Sequence, residues 1–188
     1  MHKYLLTSIL LFGGFFYATA QDTTVIAATL PTDHRMSMIS FSYKSGVNAD
    51  GYGLSYYRFP KNNYKGWYFP FSFSVENISV KAGNISQLNF QTSPLNFFLP
   101  GIAACKNFSD NVWFNFGLQI PISSEQLQDV YGKPVNHPII GLAPLQQVYI
   151  VPRSTYGIFF AIGIYERITN AYSFKDDVGV RAEIGLKF

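Results

Sequence analysis

The last eleven residues, Val178 to Phe188, constrain the fold more than any other stretch. Val178, Val180, Ala182, Ile184, Leu186 and Phe188 share one parity, while Gly179, Arg181, Glu183, Gly185 and Lys187 share the other. A period of two is the mark of a β-strand, whose successive side chains point to opposite faces. Such alternation suits a half-buried soluble sheet as well as a membrane barrel. The ending favours the second, because the sequence stops on Phe188 still in phase with the apolar parity.

The other end reads as a secretory signal. His2 and Lys3 supply a short basic start, Tyr4 to Tyr17 is nearly all apolar, and Ala18-Thr19-Ala20 is a small-x-small cleavage pattern. The apolar run is shorter than the ~20 residues a membrane-crossing helix needs. The expected division is therefore a cleaved signal peptide over 1–20, a periplasmic segment over 21–35 and a barrel over 36–188. The single cysteine, Cys105, cannot form an internal disulfide, so a small stapled fold is not expected.

Composition narrows the class. Aromatic residues make up 18% of the chain and charged residues only 13%, where soluble domains average about 25% charged. A formal charge of +3 gives no reason to expect nucleic-acid binding. After the signal no apolar run reaches helix-spanning length, yet the chain needs an apolar place for its surface. Strands that turn one face to lipid resolve this, because a closed barrel satisfies its backbone hydrogen bonds between strands. The terminal strand resembles that of Gram-negative outer-membrane β-barrels. The resemblance implies that Ile184, Leu186 and the terminal Phe188 carry the signal read by the barrel assembly machinery. In architecture the mature chain resembles small eight-stranded barrels of the OmpA and OmpX type.

Eight strands are predicted in an all-β, antiparallel, up-and-down transmembrane barrel. The clearest are 36–44, 52–59, 67–75, 112–120 and 178–188, with others over 139–151 and 157–165. The fourth, over 93–108, contains Pro94 and Pro100; the alternative is a hairpin in which 85–98 pairs back on the third strand. Pro70 suggests a bulge in the third. Turns near 60–65, 109–111 and 152–155 are assigned to the periplasmic side, with both termini. Polar segments over 45–51, 76–92, 122–137 and 167–177 are assigned outward.

Cost decides which face meets lipid, since Lys or Arg on the lipid face at the bilayer middle costs about 2–4 kcal/mol. Arg181 and Glu183 must then point inward, with Ala182, Ile184, Leu186, Phe69, Phe71, Phe116, Phe160 and Ile162 outward. An inward charge in a narrow barrel has to be paired, so Lys44, Asn115, Gln119, Arg181 and Glu183 are the expected lumenal polar network, with a structural role in a packed polar interior. Tyr43, Tyr149, Tyr156 and Tyr165, near strand ends, are candidates for the bilayer interfaces.

Catalytic signals are thin. Ser123 or Ser124, Glu125 or Asp129, and His137 fall in one outward segment and contain the residue types of a nucleophile, an acid and a base. Barrel enzymes that modify lipid A use such sets, but polar loops collect these residues anyway. With His34 and His137 the only histidines after the signal, no metal-ligand spacing is present, and no cofactor is expected. The expected function is non-enzymatic, in envelope support or surface interaction, with outer-membrane lipids and the assembly machinery as partners. The alternatives are a soluble exported lipocalin-like carrier and a lipid A-modifying barrel enzyme using the 122–137 segment.

Overall fold

The computed structural model describes residues 36–60, 64, 66–81, 94–128, 131–173 and 175–188. The expected signal peptide, the 21–35 segment, most of the 76–92 loop and Asp129 lie outside the described residues. Among the described residues, ten strands form one antiparallel sheet: β1 (Ser37–Gly46), β2 (Ala49–Arg58), β3 (Trp67–Tyr68), β4 (Phe71–Val80), β5 (Leu95–Asn107), β6 (Val112–Gln119), β7 (Ile122–Gln128), β8 (Pro134–Ile150), β9 (Gly157–Thr169) and β10 (Asp176–Lys187). The first and last strands pair, from Met38 opposite Lys187 to Gly46 opposite Gly179, and this seam closes the sheet.

Closure makes an eight-stranded barrel, because two pairs of strands run in line. β3 and β4 both lie against β5, separated by Phe69 and Pro70. β6 and β7 both lie against β8, separated by Ile120 and Pro121. Each proline removes a ladder donor where the strand is interrupted. The bulge expected at Pro70 is thus a break bridged by the Ala103 N–H, which donates to the Pro70 carbonyl at 2.9 Å. β5 occupies the position of the fourth predicted strand, pairing with β4 on one side and β6 on the other.

Several segments expected to be loops are strand. The chain turns at Val47 and Asn48 alone where 45–51 was assigned to a turn; β4 continues to Val80 and β9 to Thr169. Within 122–137, β7 and β8 form a hairpin in register from Ile122 opposite Ile140 to Gln128 opposite Pro134. Gly132, at φ 76°, lies in the turn that joins them. In a barrel with a polar lumen, polar residues at every second position continue a strand.

Parity assigns the two faces as expected. Arg181 and Glu183 are buried, while Ile184, Leu186, Phe71, Phe160 and Ile162 are exposed on the outer wall. The interior itself is layered, which corrects the expectation of a uniformly polar core. Met38, Tyr57, Phe59, Tyr68, Trp113 and Phe159 pack together at the end that carries the chain terminus. A second apolar cluster, including Ile78, Leu95, Phe97, Leu99 and Ile139, fills the far end. Charged and amide side chains occupy the level between. The inward parity of several strands changes from polar to aromatic towards the terminal end, which is why Tyr149 lies inside rather than at a bilayer interface. Tyr165 is also buried, whereas Tyr43 and Tyr156 are exposed.

Glycine makes room for one of these rings. A Cβ added at Gly185 would lie 2.5 Å from Phe159 Cε1. The absent side chain is the space the ring occupies, in register opposite it.

Candidate functional site

The middle layer is a connected charge network. Glu76 on β4 is at its centre: Lys44 Nζ lies 2.5 Å from its Oε1, Arg167 Nη2 2.6 Å from its Oε2 and Arg181 Nη1 3.3 Å from its Oε1. Glu183 is the second anion. Its carboxylate accepts hydrogen bonds from Ser40 Oγ at 2.7 Å, Gln147 Nε2 at 2.7 Å and the Tyr57 hydroxyl at 3.2 Å. Arg181 Nε lies 2.5 Å from Glu183 Oε1, as an ion pair without the alignment of a hydrogen bond.

Amides and hydroxyls extend the network around the wall. Arg181 Nη2 donates to Ser55 Oγ at 2.7 Å, Ser55 and Ser74 share a 2.8 Å contact, and Gln119 Nε2 donates to Ser74 at 3.1 Å. Asn115 Nδ2 donates to the Tyr149 hydroxyl at 3.2 Å, and its Oδ1 accepts from the Cys105 thiol at 3.1 Å. All five residues expected in the lumen, Lys44, Asn115, Gln119, Arg181 and Glu183, are buried. They do not form one direct constellation, however. Lys44 reaches Arg181 through Glu76, and Asn115 reaches Glu183 through Gln147.

Glu76 and Arg167 were missed because both fell in segments assigned to outward loops. The signal was present in the parity: Ser72, Ser74, Glu76 and Ile78 continue one inward row, and Tyr165 and Arg167 continue another. Arg167 is 1% exposed, its guanidinium 4.8 Å from the centre of the Phe97 ring. That ring-face contact adds a cation–π attraction to the ion pair with Glu76.

A second cluster sits at the far rim. Glu125 Oε1 lies 3.0 Å from His137 Nδ1, across the β7–β8 hairpin. The same carboxylate accepts hydrogen bonds from the backbone N–H groups of Tyr172 at 2.7 Å and Ser173 at 3.2 Å. Glu125 therefore ties the segment between β9 and β10 to the hairpin, with the Tyr172 ring 4.7 Å from that of His137. Ser123 donates its hydroxyl to the Asn96 carbonyl at 2.6 Å, and Ser124 is exposed on the opposite parity from Glu125. The acid and base of the expected set are thus together, while each serine is directed elsewhere.

A closed, antiparallel eight-stranded barrel with an apolar outer wall and a charged interior layer has the fold of the small outer-membrane β-barrels. Among solved structures, the chain is similar to the N-terminal β-barrel domain of Pseudomonas aeruginosa OprF, with a TM-score of 0.52 at 9% identity, over 81% of this chain and 97% of that one. The Yersinia pestis outer membrane protein Ail, in a phospholipid nanodisc, gives a TM-score of 0.48 at 13% identity, over 82% of this chain and 100% of that one. Neisserial surface protein A gives 0.45 at 11%, over 81% and 94%. No protein-family model and no curated protein sequence matches the chain. At 9% identity the likeness to the OprF domain is one of fold alone.

Proposed function

We propose that this chain is an integral outer-membrane barrel with a non-enzymatic role, supporting the envelope and offering its far rim to partners outside the cell. The observation that carries this reading is the outer wall. From Phe69, Phe71, Phe73 and Val75 on one side to Ile158, Phe160, Ile162 and Ile164 on another, exposed side chains are apolar, while the ion pairs of Glu76 with Lys44 and Arg167 lie inside. Water-soluble proteins rarely expose contiguous apolar patches beyond a few hundred Å². A lipocalin-like carrier would instead be expected to line its interior for an apolar ligand, a role poorly served by Glu76, Glu183, Arg167 and Arg181. In this reading outer-membrane lipids cover the wall, the assembly machinery reads Ile184, Leu186 and Phe188, and the lumenal network holds the barrel walls together.

The test is gel mobility of the folded protein with and without boiling, alongside fractionation of the envelope. A heat-modifiable band in the outer-membrane fraction is expected. A protein that stays in the soluble periplasmic fraction, with no mobility shift, overturns the reading.

The 3.0 Å contact between Glu125 and His137 favours a second reading, a lipid A-modifying enzyme at the far rim. Nucleophilic catalysis needs a hydroxyl within reach of the base, and Ser123 is engaged by Asn96. Loss of lipid A modification in a His137→Ala strain would establish this alternative, and unchanged lipid A would remove it.

A further inference from the structure

At its terminal end the apolar outer wall finishes on cations. On β2 the outward residues run Asp50, Tyr52, Leu54, Tyr56 and Arg58, and on β5 they run Asn96, Phe98, Pro100, Ile102, Ala104 and Lys106. Asp110 is the one acidic side chain at this end among the described residues, and it is paired with Arg153. Arg58 and Lys106 have no carboxylate partner among the described residues. The Lys106 ammonium lies instead 5.4 Å from the centre of the Trp67 ring.

Arg58 belongs to a small polar cluster on this outward face. Its Nη1 donates to Ser37 Oγ at 2.9 Å, and the Tyr56 hydroxyl lies 3.3 Å from the same oxygen. Ser37 is 1% exposed, on the outward parity of β1, whereas Arg58 opposite it is exposed. The cluster has a surplus of donors. A guanidinium offers N–H groups and no acceptor, and one of these groups is spent on Ser37. Ser37 and Tyr56 need one hydroxyl proton between them, whichever of the two donates, so the other proton is left to give. What such a cluster fits is a negatively charged group with several acceptor oxygens.

Resting on the membrane placement above, we propose that Arg58, Tyr56 and Ser37 bind the phosphate of an anionic phospholipid in the leaflet at the terminal end of the barrel. Here the wall passes from hydrocarbon to headgroups, the level at which a tyrosine ring with one wet end and a long basic side chain settle. The guanidinium meets two phosphate oxygens as a fork, and the remaining hydroxyl proton goes to the same group. Leu54, two residues before Tyr56, and Phe71, opposite Arg58 on β4, are exposed and apolar and receive the acyl chain. A zwitterionic lipid suits the cluster less well. Its ammonium meets donors and no carboxylate, whereas a headgroup charged only at the phosphate presents no cation to them.

The test uses the full chain folded in a non-ionic detergent, with native mass spectrometry counting the lipid molecules retained. Phosphatidylglycerol is expected to be retained several-fold more than phosphatidylethanolamine of the same acyl chains. Arg58→Gln is expected to lower phosphatidylglycerol retention several-fold and Tyr56→Phe to lower it less, while Lys175→Gln, which removes the same charge at the far end, leaves it unchanged. Equal retention of the two lipids, or equal retention by Arg58→Gln and Lys175→Gln, overturns the proposal. So does displacement of phosphatidylglycerol by an equimolar amount of inorganic phosphate, which would make this a site for the free anion. If Arg58→Gln gives no heat-modifiable band, Tyr56→Phe decides, and unchanged retention there overturns the proposal. Envelope fractionation separates the two levels: a membrane-inserted protein indifferent to the headgroup sinks the lipid site alone, and a soluble protein sinks the membrane placement.

Discussion

Glu76 and Arg167 are 91 residues apart in the chain and meet at 2.6 Å, each nearly inaccessible to solvent. Their strands, β4 and β9, stand on facing walls of the barrel, with three strands between them in either direction around the sheet. The pair is a strut across the lumen. Lys44 and Arg181 approach the same carboxylate, so three cations share this anion.

Glu76→Gln is expected to be the most damaging single change in the lumen. Removing one partner of a buried ion pair typically costs about 3–5 kcal/mol, because the remaining charge is left without compensation. Urea unfolding in lipid vesicles measures this, and a loss below about 1 kcal/mol would mean that the cations find other partners.

On parity alone, Glu183→Gln reads as a mild change, since it keeps size and polarity on an inward position. The structure reverses that expectation. Glu183 accepts from Ser40, Tyr57 and Gln147 and faces Arg181, so an amide would remove the negative charge beside a buried guanidinium and leave one fewer acceptor for Gln147 and Arg181. A destabilisation of about 2–5 kcal/mol in the same unfolding assay is expected, with Glu183→Ala no milder.

Ile184→Arg tests the outer wall. Ile184 is exposed on the apolar face, opposite Phe160 and Phe41, and a lipid-facing arginine at mid-bilayer costs about 2–4 kcal/mol. The yield of heat-modifiable protein in the outer membrane should fall sharply. Normal assembly of this variant would mean that the wall does not face lipid.

Gly185→Ala tests the packing of Phe159. The new methyl would lie about 2.5 Å from the ring and press on the Ile39 backbone, and overpacking of this kind costs about 1–3 kcal/mol. Phe159→Leu should relieve part of the loss, so the double variant should be less unstable than the two single effects added. Strict additivity would place the strain in the backbone alone.

Glu125→Ala tests the clamp at the far rim. Without the carboxylate, the Tyr172 and Ser173 N–H groups lose their acceptor, a local loss of about 1–3 kcal/mol. Hydrogen exchange at these two amides should accelerate by one to two orders of magnitude while the β10 ladder stays protected. Unchanged exchange would show that the segment is held by other contacts.

The sequence by itself determined the class of fold and the sidedness of its strands. Alternation is a local property, set by the geometry of a single strand, and Val178 to Phe188 declares it without knowledge of any neighbour. From it followed the inward Arg181 and Glu183 and the outward Ile184 and Leu186, while the fourth strand, at β5, rested on the turn signal of Asn107 to Asn111 because its own parity is ambiguous. What only the tertiary structure decided was which inward residues meet. Glu76 and Arg167 come together because closure of the barrel brings β4 and β9 to facing walls, a relation among eight strands that no local window contains. The same closure decided that Tyr149 and Tyr165 lie inside and that the lumen is charged in its middle and apolar at both ends, whereas Glu125 meets His137 through the register of the β7–β8 hairpin. Where strands end was also tertiary, since a polar residue terminates a strand that faces an apolar core but continues one whose other face lines a lumen of ion pairs.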